Sequence, residues 1–236
     1  MAITLAFDVY GTLIDTHGVV SELNDLVQDK AEAFSHKWRE KQLEYSFRRG
    51  LMQNYVTFDV CTSHALDYAC EFFNTPLTAG QKQHMLDFYK TLPAFMDARE
   101  SLSAFSQRGY RLFAFSNGTT RAVEGLLESA GIKAYFTDII SVDDIKSFKP
   151  NPAVYSHFLR KSKAHGGQSW LVSSNPFDVI GAISSGMNAA WVKRSGGIIF
   201  DPWGIEPNLT VEDLRDLAEQ LPKYVNIRYL TKMVRS

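Results

Sequence analysis

The sequence predicts an α/β protein, in which helices cover both faces of a parallel β-sheet and a block of helices interrupts the sheet after its first strand. From residue 102 onward, short apolar runs alternate with segments of helical periodicity, which is typical of parallel strands joined by crossover helices. Residues 20–89 instead carry apolar residues at helical spacing with little β-type alternation. Polar residues follow four of the apolar runs, as at the carboxyl edge of open α/β sheets.

The first apolar run, residues 3–7, is predicted to be a buried strand that presents Asp8, because a Gly-Thr turn follows almost at once. A carboxylate there can be a metal ligand, a general base or a nucleophile, or it can simply cap the turn. A second carboxylate two residues later would favour a metal, since alternate positions of an extended segment face the same way. That position is Tyr10, and a phenol is a poor ligand for Mg²⁺.

Composition indicates a globular protein with a sizeable core, since the chain has 236 residues of which 45% are hydrophobic. Its 25 basic and 26 acidic residues give a net charge of -1, which offers no electrostatic basis for binding nucleic acid or an anionic membrane. The sequence contains neither a leader-like segment nor an apolar run of membrane-spanning length, so we expect a cytoplasmic protein. Cys61 and Cys70 lack metal-site spacing and are expected to be helical thiols.

The helical block is predicted to form a cap over the sheet. The predicted division is a catalytic core of residues 1–15 and 94–236 and a cap of residues 16–93. A cap inserted at this point lies above the carboxyl edge of the sheet and can act as a lid. Within the cap, Thr78 follows a Pro-containing break and is expected to cap the next helix.

Four further strands are predicted after the cap, at residues 110–115, 139–142, 170–172 and 189–192. The predicted helices of the core cover residues 102–107, 121–129, 152–161, 176–185 and, from about 211, the stretch to 221. Glycines mark the ends of several of these helices, and Pro176 suits the first turn of its helix. Thr210 is expected to cap the last one.

Polar groups behind three later strands are predicted to meet Asp8 at one edge of the sheet. Ser116 and Asn117 follow the second strand, where a hydroxyl and backbone amides ahead of a helix can bind an anion. Lys149 follows the third strand, and the proline after it keeps it out of the next helix. The fourth strand is followed by Ser173, Asn175 and Asp178. A lysine near two carboxylates favours their ionised forms, which keeps Asp8 nucleophilic.

Four segments resemble the successive motifs of the haloacid dehalogenase superfamily: FDVYGTL, FSNGT, KSFKP and VSSNPFD. The tyrosine of the first motif, the segment WREKQLEYSFRRGLMQNYVTF and the last motif are similar to the L-2-haloacid dehalogenase family. The resemblance extends from about residue 6 to residue 192. It implies a Rossmann-like core with a four-helix cap, often a homodimer, a small halogenated carboxylic acid as substrate, and neither a metal nor an organic cofactor.

The resemblance also implies roles for individual residues. Asp8 is the nucleophile that displaces halide from C2 of a 2-haloalkanoate, and hydrolysis of the resulting ester leaves the inverted 2-hydroxy acid. The residues that position Asp8 and bring water to the ester are Lys149, Ser173, Asn175 and Asp178, supported by Thr12 and Tyr155. The substrate carboxylate is bound by Ser116, the Asn117 amide and Tyr10. The halide is held by Arg39 and the Asn117 side chain, and the apolar wall consists of Leu43, Phe58 and Phe177.

Two residues depart from the family pattern. Where the family often has glutamine after the arginine, this chain has Glu40, and where it often has tryptophan, this chain has Phe177. A carboxylate that points inward beside Arg39 weakens halide or substrate binding, and a smaller ring changes the width of the pocket. Without the resemblance, Arg39 is expected on a solvated helix face.

Other polar residues have weaker claims to a function. Asp15 and His17 are expected at a hinge or on the surface, and Asp143 or Asp144 could ligate Mg²⁺ only in a metal-dependent relative. Surface positions are expected for His64, His84, His157 and His165, and core or tail packing for Trp203. The competing functions are a Mg-dependent phosphohydrolase of the same fold and a catalytically silent protein that binds a small carboxylate.

Overall fold

The computed structural model describes residues 3–234, with side chains for residues 3–226. Its centre is a six-stranded parallel sheet in the order β3-β2-β1-β4-β5-β6. The strands are β1 (Thr4–Phe7), β2 (Arg111–Ser116), β3 (Asp138–Ser141), β4 (Ser169–Ser173), β5 (Asn188–Val192) and β6 (Leu209–Val211). This order is that of a Rossmann-type sheet, so the predicted α/β class is confirmed. Residues 1–2 and 235–236 of the predicted core lie outside the described residues.

Strand β1 lies in the middle of the sheet and is buried on both faces. Leu5 and Phe7 point to one side, where Phe7 lies 5.8 Å from Phe105 between ring centroids. Ala6 points to the other side, because successive side chains of a strand alternate. Burial on both faces explains why the strands of this sheet are continuous apolar runs.

The core helices pack on the two faces of the sheet. They are α5 (Ala98–Gln107), α6 (Thr120–Ser129), α7 (Pro152–Ser162), α8 (Pro176–Ser184) and α9 (Leu214–Val234). Thr119 caps α6 by accepting from the Ala122 amide, and Asn151 caps α7 by accepting from the Ala153 amide. Proline occupies the first turn of both α7 and α8, where its missing amide costs no hydrogen bond.

Between β1 and α5 the chain forms the helical cap. Its helices are α1 (Val19–Val27), α2 (Ala31–Leu51), α3 (Phe58–Phe72) and α4 (Ala79–Tyr89). Helices α2 and α3 are fastened together where the Trp38 indole donates to the Thr62 carbonyl at 2.9 Å. Thr78 caps α4 through a reciprocal pair with Gln81, as predicted. Cys61 and Cys70 are buried free thiols on α3.

Two extended segments connect the cap to the core and run antiparallel beside each other. The Asp15 amide donates to the Pro93 carbonyl, and the Phe95 amide donates to the Leu13 carbonyl, both at 2.9 Å. The Asp15 carboxylate accepts from the amide of His17 at the start of the cap, which fits a hinge. The division at residues 15/16 and 93/94 remains a prediction.

The carboxyl-terminal part of the sheet differs from the prediction. Residues 209–211 form a sixth strand in which Thr210 lies opposite Trp191, so the predicted helix cap at Thr210 is wrong. Helix α9 begins at Leu214 and continues through Pro222. Strand β6 is three residues long, which is too short to show an alternating pattern in the sequence.

Two side chains are placed differently from the sequence expectation. His157 is 5% exposed, since it lies on the inner face of α7 with its Nε2 3.3 Å from the Asp144 carboxylate. Trp203 is 71% exposed and therefore does not pack in the core. Within residues 3–234, the structure contains no helix long and apolar enough to cross a membrane.

Candidate active site

Asp8 follows β1 directly, at the carboxyl edge of the sheet. Its amide continues the β1–β4 pairing by donating to the Val172 carbonyl at 2.9 Å, which fixes where its side chain begins. One carboxylate oxygen, Oδ1, accepts from the Lys149 ammonium at 3.1 Å. The other, Oδ2, accepts three hydrogen bonds: from the Thr12 hydroxyl at 2.9 Å, from the Ser173 hydroxyl at 3.3 Å and from the Asn175 side-chain amide at 2.8 Å. The carboxylate is thus held in one orientation while the residue is only 7% exposed.

The Lys149 ammonium is shared among three acceptors. It donates to Asp8 Oδ1, and at 2.8 Å to both the Phe115 carbonyl and Asp178 Oδ2. Burial alone lowers the pKa of Lys149, but Asp178 and Asp8 together raise it above its usual value. The lysine therefore stays charged, although it is 1% exposed, and provides a fixed positive charge between the two acids.

Asp178 lies on the first turn of α8 and is completely buried. Its second oxygen, Oδ1, accepts from the Tyr155 hydroxyl at 2.8 Å. Burial, together with the charge of Asp8, raises the pKa of Asp178 to about 6, while Lys149 and Tyr155 oppose the shift. A side chain at Gly181 would collide with the Tyr155 ring, so glycine there lets α8 approach the tyrosine that holds this acid.

Thr12 is itself held by a residue that the sequence did not single out, Ser174. The Thr12 hydroxyl accepts from the Ser174 amide at 2.9 Å, and the Ser174 hydroxyl donates to the Gly11 carbonyl at 2.7 Å. These bonds tie the turn after Asp8 to the end of β4. The sequence does carry a signal for Ser174, because it lies in the polar run after the fourth predicted strand, between the predicted site residues Ser173 and Asn175.

Arg39 of α2 reaches from the cap to the core. Its guanidinium donates to the Tyr10 carbonyl at 3.2 Å and to Gln42 Oε1 at 2.6 Å. Asn175 Nδ2 also lies 3.5 Å from the Tyr10 carbonyl, so the cap arginine and the Asp8 network meet at one backbone oxygen. Burial raises the pKa of Tyr10, which keeps its phenol protonated.

Ser116 and Asn117 lie at the end of β2, as the sequence predicts. The buried Ser116 hydroxyl accepts from the Gly118 amide at 3.1 Å. Asn117 Oδ1 accepts from the backbone amide of Lys149 at 3.0 Å. Asn117 therefore fixes the backbone that carries the lysine.

The predicted apolar wall lies on both sides of the interface between cap and core. Phe58 packs on Tyr10 with a centroid distance of 5.6 Å, and Leu43 lies one helical turn after Arg39 on α2. Phe177 of α8 forms an edge-to-face pair with Phe47 of α2, at 4.9 Å and 74°. Phe47 was not identified from the sequence, where its helical spacing could not be distinguished from ordinary packing.

The acidic residue beside Arg39 does not face the site. The Glu40 carboxylate is 44% exposed and pairs with Lys37 at 2.6 Å. Asp143 is likewise engaged elsewhere, since it accepts from the Tyr55 hydroxyl and the Lys146 ammonium. Within residues 3–234, no group of three or more His, Cys, Asp or Glu side chains is arranged to hold a metal ion.

Arg194, which the sequence did not predict to have a role, stabilises the turn after Asp8 through hydrogen bonds to its backbone. Its guanidinium donates to the Thr12 carbonyl through Nε and Nη2, at 3.2 and 2.5 Å, and pairs with Asp97 at 2.7 Å. The arginine lies 182 residues from Thr12 in the chain, and no local pattern signals such a contact.

The chain is similar to known proteins over most of its length. Residues 4–186 match the family model of haloacid dehalogenase-like hydrolases. Over 88% of its length the chain is 36% identical to haloacetate dehalogenase H-2 of Moraxella sp. (strain B), 92% of which is covered. It is 33% identical over 91% of its length to an (S)-2-haloacid dehalogenase of Pseudomonas sp. (strain YL), also covered to 92%.

A solved structure shares the fold as well. The L-2-haloacid dehalogenase of Xanthobacter autotrophicus with covalently bound chloropropionic acid superposes with a TM-score of 0.87 at 28% identity, covering 94% of this chain and 99% of that one. The extent of the family match and of these alignments shows that the chain belongs to the haloacid dehalogenase-like hydrolases, among the relatives named 2-haloacid dehalogenases.

Proposed function

We propose that this chain is a hydrolytic dehalogenase that converts (S)-2-haloalkanoic acids to (R)-2-hydroxyalkanoic acids and halide, through an ester on Asp8 and without a metal ion. The observation that carries the proposal is the Asp8 carboxylate, held by four donors of which one is the Lys149 ammonium. The names of the relatives, which specify haloacetate and (S)-2-haloacids, support the substrate class.

In the first step, Asp8 attacks C2 of the substrate. Oδ1 accepts one hydrogen bond and Oδ2 accepts three, so Oδ1 is the more available nucleophile. A bond forms between Oδ1 and C2 while the bond between C2 and the halogen breaks, and the halide leaves with the bonding electrons. A single in-line displacement inverts C2. Burial removes much of the hydration that makes a carboxylate a weak nucleophile.

In the second step, water hydrolyses the ester at Cγ of Asp8. The three donors around Oδ2 then stabilise the oxyanion of the tetrahedral intermediate. A proton of the attacking water passes to Asp178, whose raised pKa of about 6 suits a base that works near neutral pH. The bond between Cγ and Oδ1 breaks, and the hydroxy acid leaves with Oδ1 and a proton. The bond to C2 is not broken again, so the inversion is retained.

The remaining predicted residues bind the substrate in this proposal. The substrate carboxylate is bound by the Ser116 hydroxyl, the Asn117 amide and the Tyr10 phenol. The leaving halide is held by Arg39, which stays charged at any working pH, and by the Asn117 side chain. Leu43, Phe58 and Phe177 surround the alkyl group. The support is the contact of Arg39 with the Tyr10 carbonyl, two residues from Asp8.

Metal independence is part of the proposal. Tyr10 occupies the position where a second acidic ligand would be expected, and it is packed between Phe58 and Tyr89. The Lys149 ammonium already balances the charge of Asp8 and Asp178. Both observations favour displacement at carbon over phosphoryl transfer, which needs a metal to neutralise charge.

The setting proposed for the enzyme is the cytoplasm, as a homodimer without nucleic-acid or membrane partners. The dimer is supported by the family resemblance, and the lack of nucleic-acid or membrane partners by the net charge of -1. Sedimentation analysis of the purified chain tests the dimer, and a mass of one chain across the working concentration range contradicts it.

The test of the function is a single turnover in ¹⁸O-labelled water. Enzyme in excess over (S)-2-chloropropanoate, with a chelator present, is expected to release chloride and unlabelled (R)-lactate, while the label appears in the peptide that contains Asp8. Asp8→Ala is expected to release no chloride, and the R enantiomer is expected not to react.

Three outcomes contradict the proposal. If the ¹⁸O label appears in the lactate and not in the enzyme, water attacks C2 directly, and an ester intermediate on Asp8 is excluded. Release of phosphate from a phosphate ester that requires Mg²⁺, with no halide release from any 2-haloacid, identifies the chain as a phosphohydrolase. Binding of a 2-haloacid without turnover identifies a silent binding protein.

A further inference from the structure

An open groove of about 600 Å³ lies beside the candidate active site, between cap and core. Its walls come from the end of α2, the loop 148–152 and the outer face of α8, and Trp203 stands at its edge. This volume falls within the range of roughly 300–1,000 Å³ that is usual for pockets that hold small molecules. Haloacetate or a three-carbon haloacid would leave most of it unfilled.

The chemistry of the groove is that of a site for an uncharged, apolar group. Among its lining residues, the side chains that dominate are Phe47, Leu51, Phe148, Phe177, Ile180 and Trp203. Lys149 is the charged residue in that lining, but its ammonium is directed to Asp8, Asp178 and the Phe115 carbonyl. A ligand in the groove therefore meets mainly rings and methyl groups, with Gln53, Asn151 and Ser184 as the polar side chains of the lining.

The groove borders the candidate active site. Lys149 and Phe177 belong to both, and Phe148 contacts Phe58 of the apolar wall with 6.4 Å between ring centroids. Phe47 and Phe177, which form an edge-to-face pair, both line the groove, and Phe177 also belongs to the predicted apolar wall of the site. These two rings belong to different parts of the molecule, one to the cap and one to the core, so their separation depends on the position of the cap.

A second, smaller cavity touches the site from the hinge side and is unsuited to the same role. It has a volume of about 60 Å³ and is lined by Arg39, Gln42, His17 and the Trp38 ring, among others. That space admits a water molecule or a halide ion, but not an alkyl chain. The two cavities thus differ about tenfold in volume.

We propose that the groove is a binding site for the alkyl chain of longer 2-haloalkanoic acids, and that Phe47, paired with Phe177, controls access of that chain to Asp8. This inference rests on the proposed function and extends it to a substrate class, the 2-haloacids of about six to eight carbons. Each methylene buried in the groove is expected to raise kcat/KM about fourfold, until the chain reaches the open end.

The test compares halide release from (S)-2-bromopropanoate and (S)-2-bromohexanoate. Ser184→Phe fills the groove on α8 without touching the Asp8 network. It is expected to lower kcat/KM for the six-carbon acid at least tenfold while the three-carbon acid stays within about threefold of wild type. Phe47→Trp enlarges the gate residue and is expected to act in the same direction, whereas Phe47→Ala is expected to raise the ratio of six-carbon to three-carbon activity.

The cap supplies a matched control in Phe72→Trp. Phe72 also forms an edge-to-face pair, with Phe73, at the same centroid distance of 4.9 Å, but it does not line the groove. This variant is expected to leave the chain-length ratio at the wild-type value. A ratio that does not change in Ser184→Phe and Phe47→Trp, or that changes equally in Phe72→Trp, overturns the proposal.

A binding measurement separates failure of the groove from failure of the proposed function. Octanoate, which carries no halogen, is expected to change the fluorescence of the wild-type protein saturably, and this change is expected to be lost in Trp203→Phe. Absence of halide release from every 2-haloacid refutes the proposed function, whereas an octanoate signal that is absent or independent of Trp203 refutes the groove as the alkyl site.

Discussion

At the scale of single residues, the candidate site depends on one buried ammonium shared between two carboxylates. Lys149 donates to both Asp8 and Asp178, and the Tyr155 hydroxyl stabilises the charge of Asp178 from the other side. Because burial raises the pKa of Asp178 to about 6, this acid is ionised at neutral pH and becomes protonated in mild acid. A proton on Asp178 prevents it from accepting one from water.

This arrangement predicts the pH dependence of hydrolysis. The rate is expected to fall as the pH decreases through about 6, because the active form of Asp178 is the ionised one. Tyr155→Phe removes a hydrogen bond that lowers the pKa of Asp178, so the acidic limb of the profile is expected to move to higher pH. The measurement is the pH profile of kcat for halide release from (S)-2-chloropropanoate.

The control for this prediction is Tyr135→Phe, since Tyr135 lies in the connection before β3, away from the Asp8 network. Its profile is expected to match that of the wild type. An acidic limb in Tyr155→Phe that stays in place or moves to lower pH contradicts the role assigned to the hydroxyl.

Most of the residues in the Asp8 network could be predicted because each follows a strand. The carboxyl ends of parallel strands meet at one edge, so Asp8, Lys149 and Asp178 could be brought together from their positions in the chain alone. Phe47 could not be identified, since a phenylalanine on a cap helix fits ordinary packing equally well. Its significance depends on which core residue it meets, and this depends on how the cap lies on the sheet.

At the scale of secondary-structure elements, helix α2 carries one stripe of residues across the site. Arg39, Leu43 and Phe47 are spaced by four residues, which places them on the same face of the helix. Arg39 donates to the Tyr10 carbonyl, and Phe47 packs edge-to-face on Phe177. One helix therefore carries the proposed halide ligand Arg39, one residue of the apolar wall, Leu43, and the proposed gate residue Phe47.

This stripe predicts that Arg39 cannot be replaced by lysine. The guanidinium makes two contacts in fixed directions, and a single ammonium cannot reproduce that fork. Arg39→Lys is expected to lower kcat for halide release about 100-fold, as for loss of one donor to a developing anion. On the same helix, Arg48 is 63% exposed and pairs with Glu44, so Arg48→Lys is expected to stay within about twofold. Equal activity of the two variants excludes Arg39 from the halide site.

The elements that the sequence did not predict lie at the carboxyl-terminal edge of the sheet. Strand β6 is three residues long, and within residues 3–234 it lies at the edge of the sheet beside β5. Its extended conformation therefore depends on pairing with β5, and its own sequence pattern does not predict it. The sequence predicts that the last helix covers about residues 211–221, and proline follows at 222. In the structure, helix α9 extends from Leu214 to Val234 and contains Pro222 in its interior.

At the scale of the whole molecule, Arg194 connects the two segments that link cap and core. Beyond β5, it binds the Thr12 carbonyl on the segment that enters the cap and Asp97 after the segment that returns from it. The Asp97 carboxylate also accepts from the Leu214 amide at the start of α9. The guanidinium lies 3.9 Å from the centroid of the Phe95 ring. These contacts link the hinge, the turn after Asp8 and the last helix through one side chain.

Removal of this arginine is therefore expected to affect stability and catalysis together. In the pair with Asp97 the side chains are 10% and 6% exposed, and loss of one partner of a buried pair costs about 3–5 kcal/mol of unfolding free energy. Arg194→Met is expected to show that loss in urea unfolding, with a lower kcat because the turn that carries Thr12 loses two donors.

The matched control is Arg215→Met, which breaks the pair of Arg215 with Glu100. The side chains of that pair are 51% and 74% exposed, so its loss is expected to cost less than about 1 kcal/mol of unfolding free energy. If the two variants unfold at the same urea concentration, Arg194 does not hold the hinge to the core. If Arg194→Met loses stability but keeps its kcat, the position of Thr12 does not depend on the arginine.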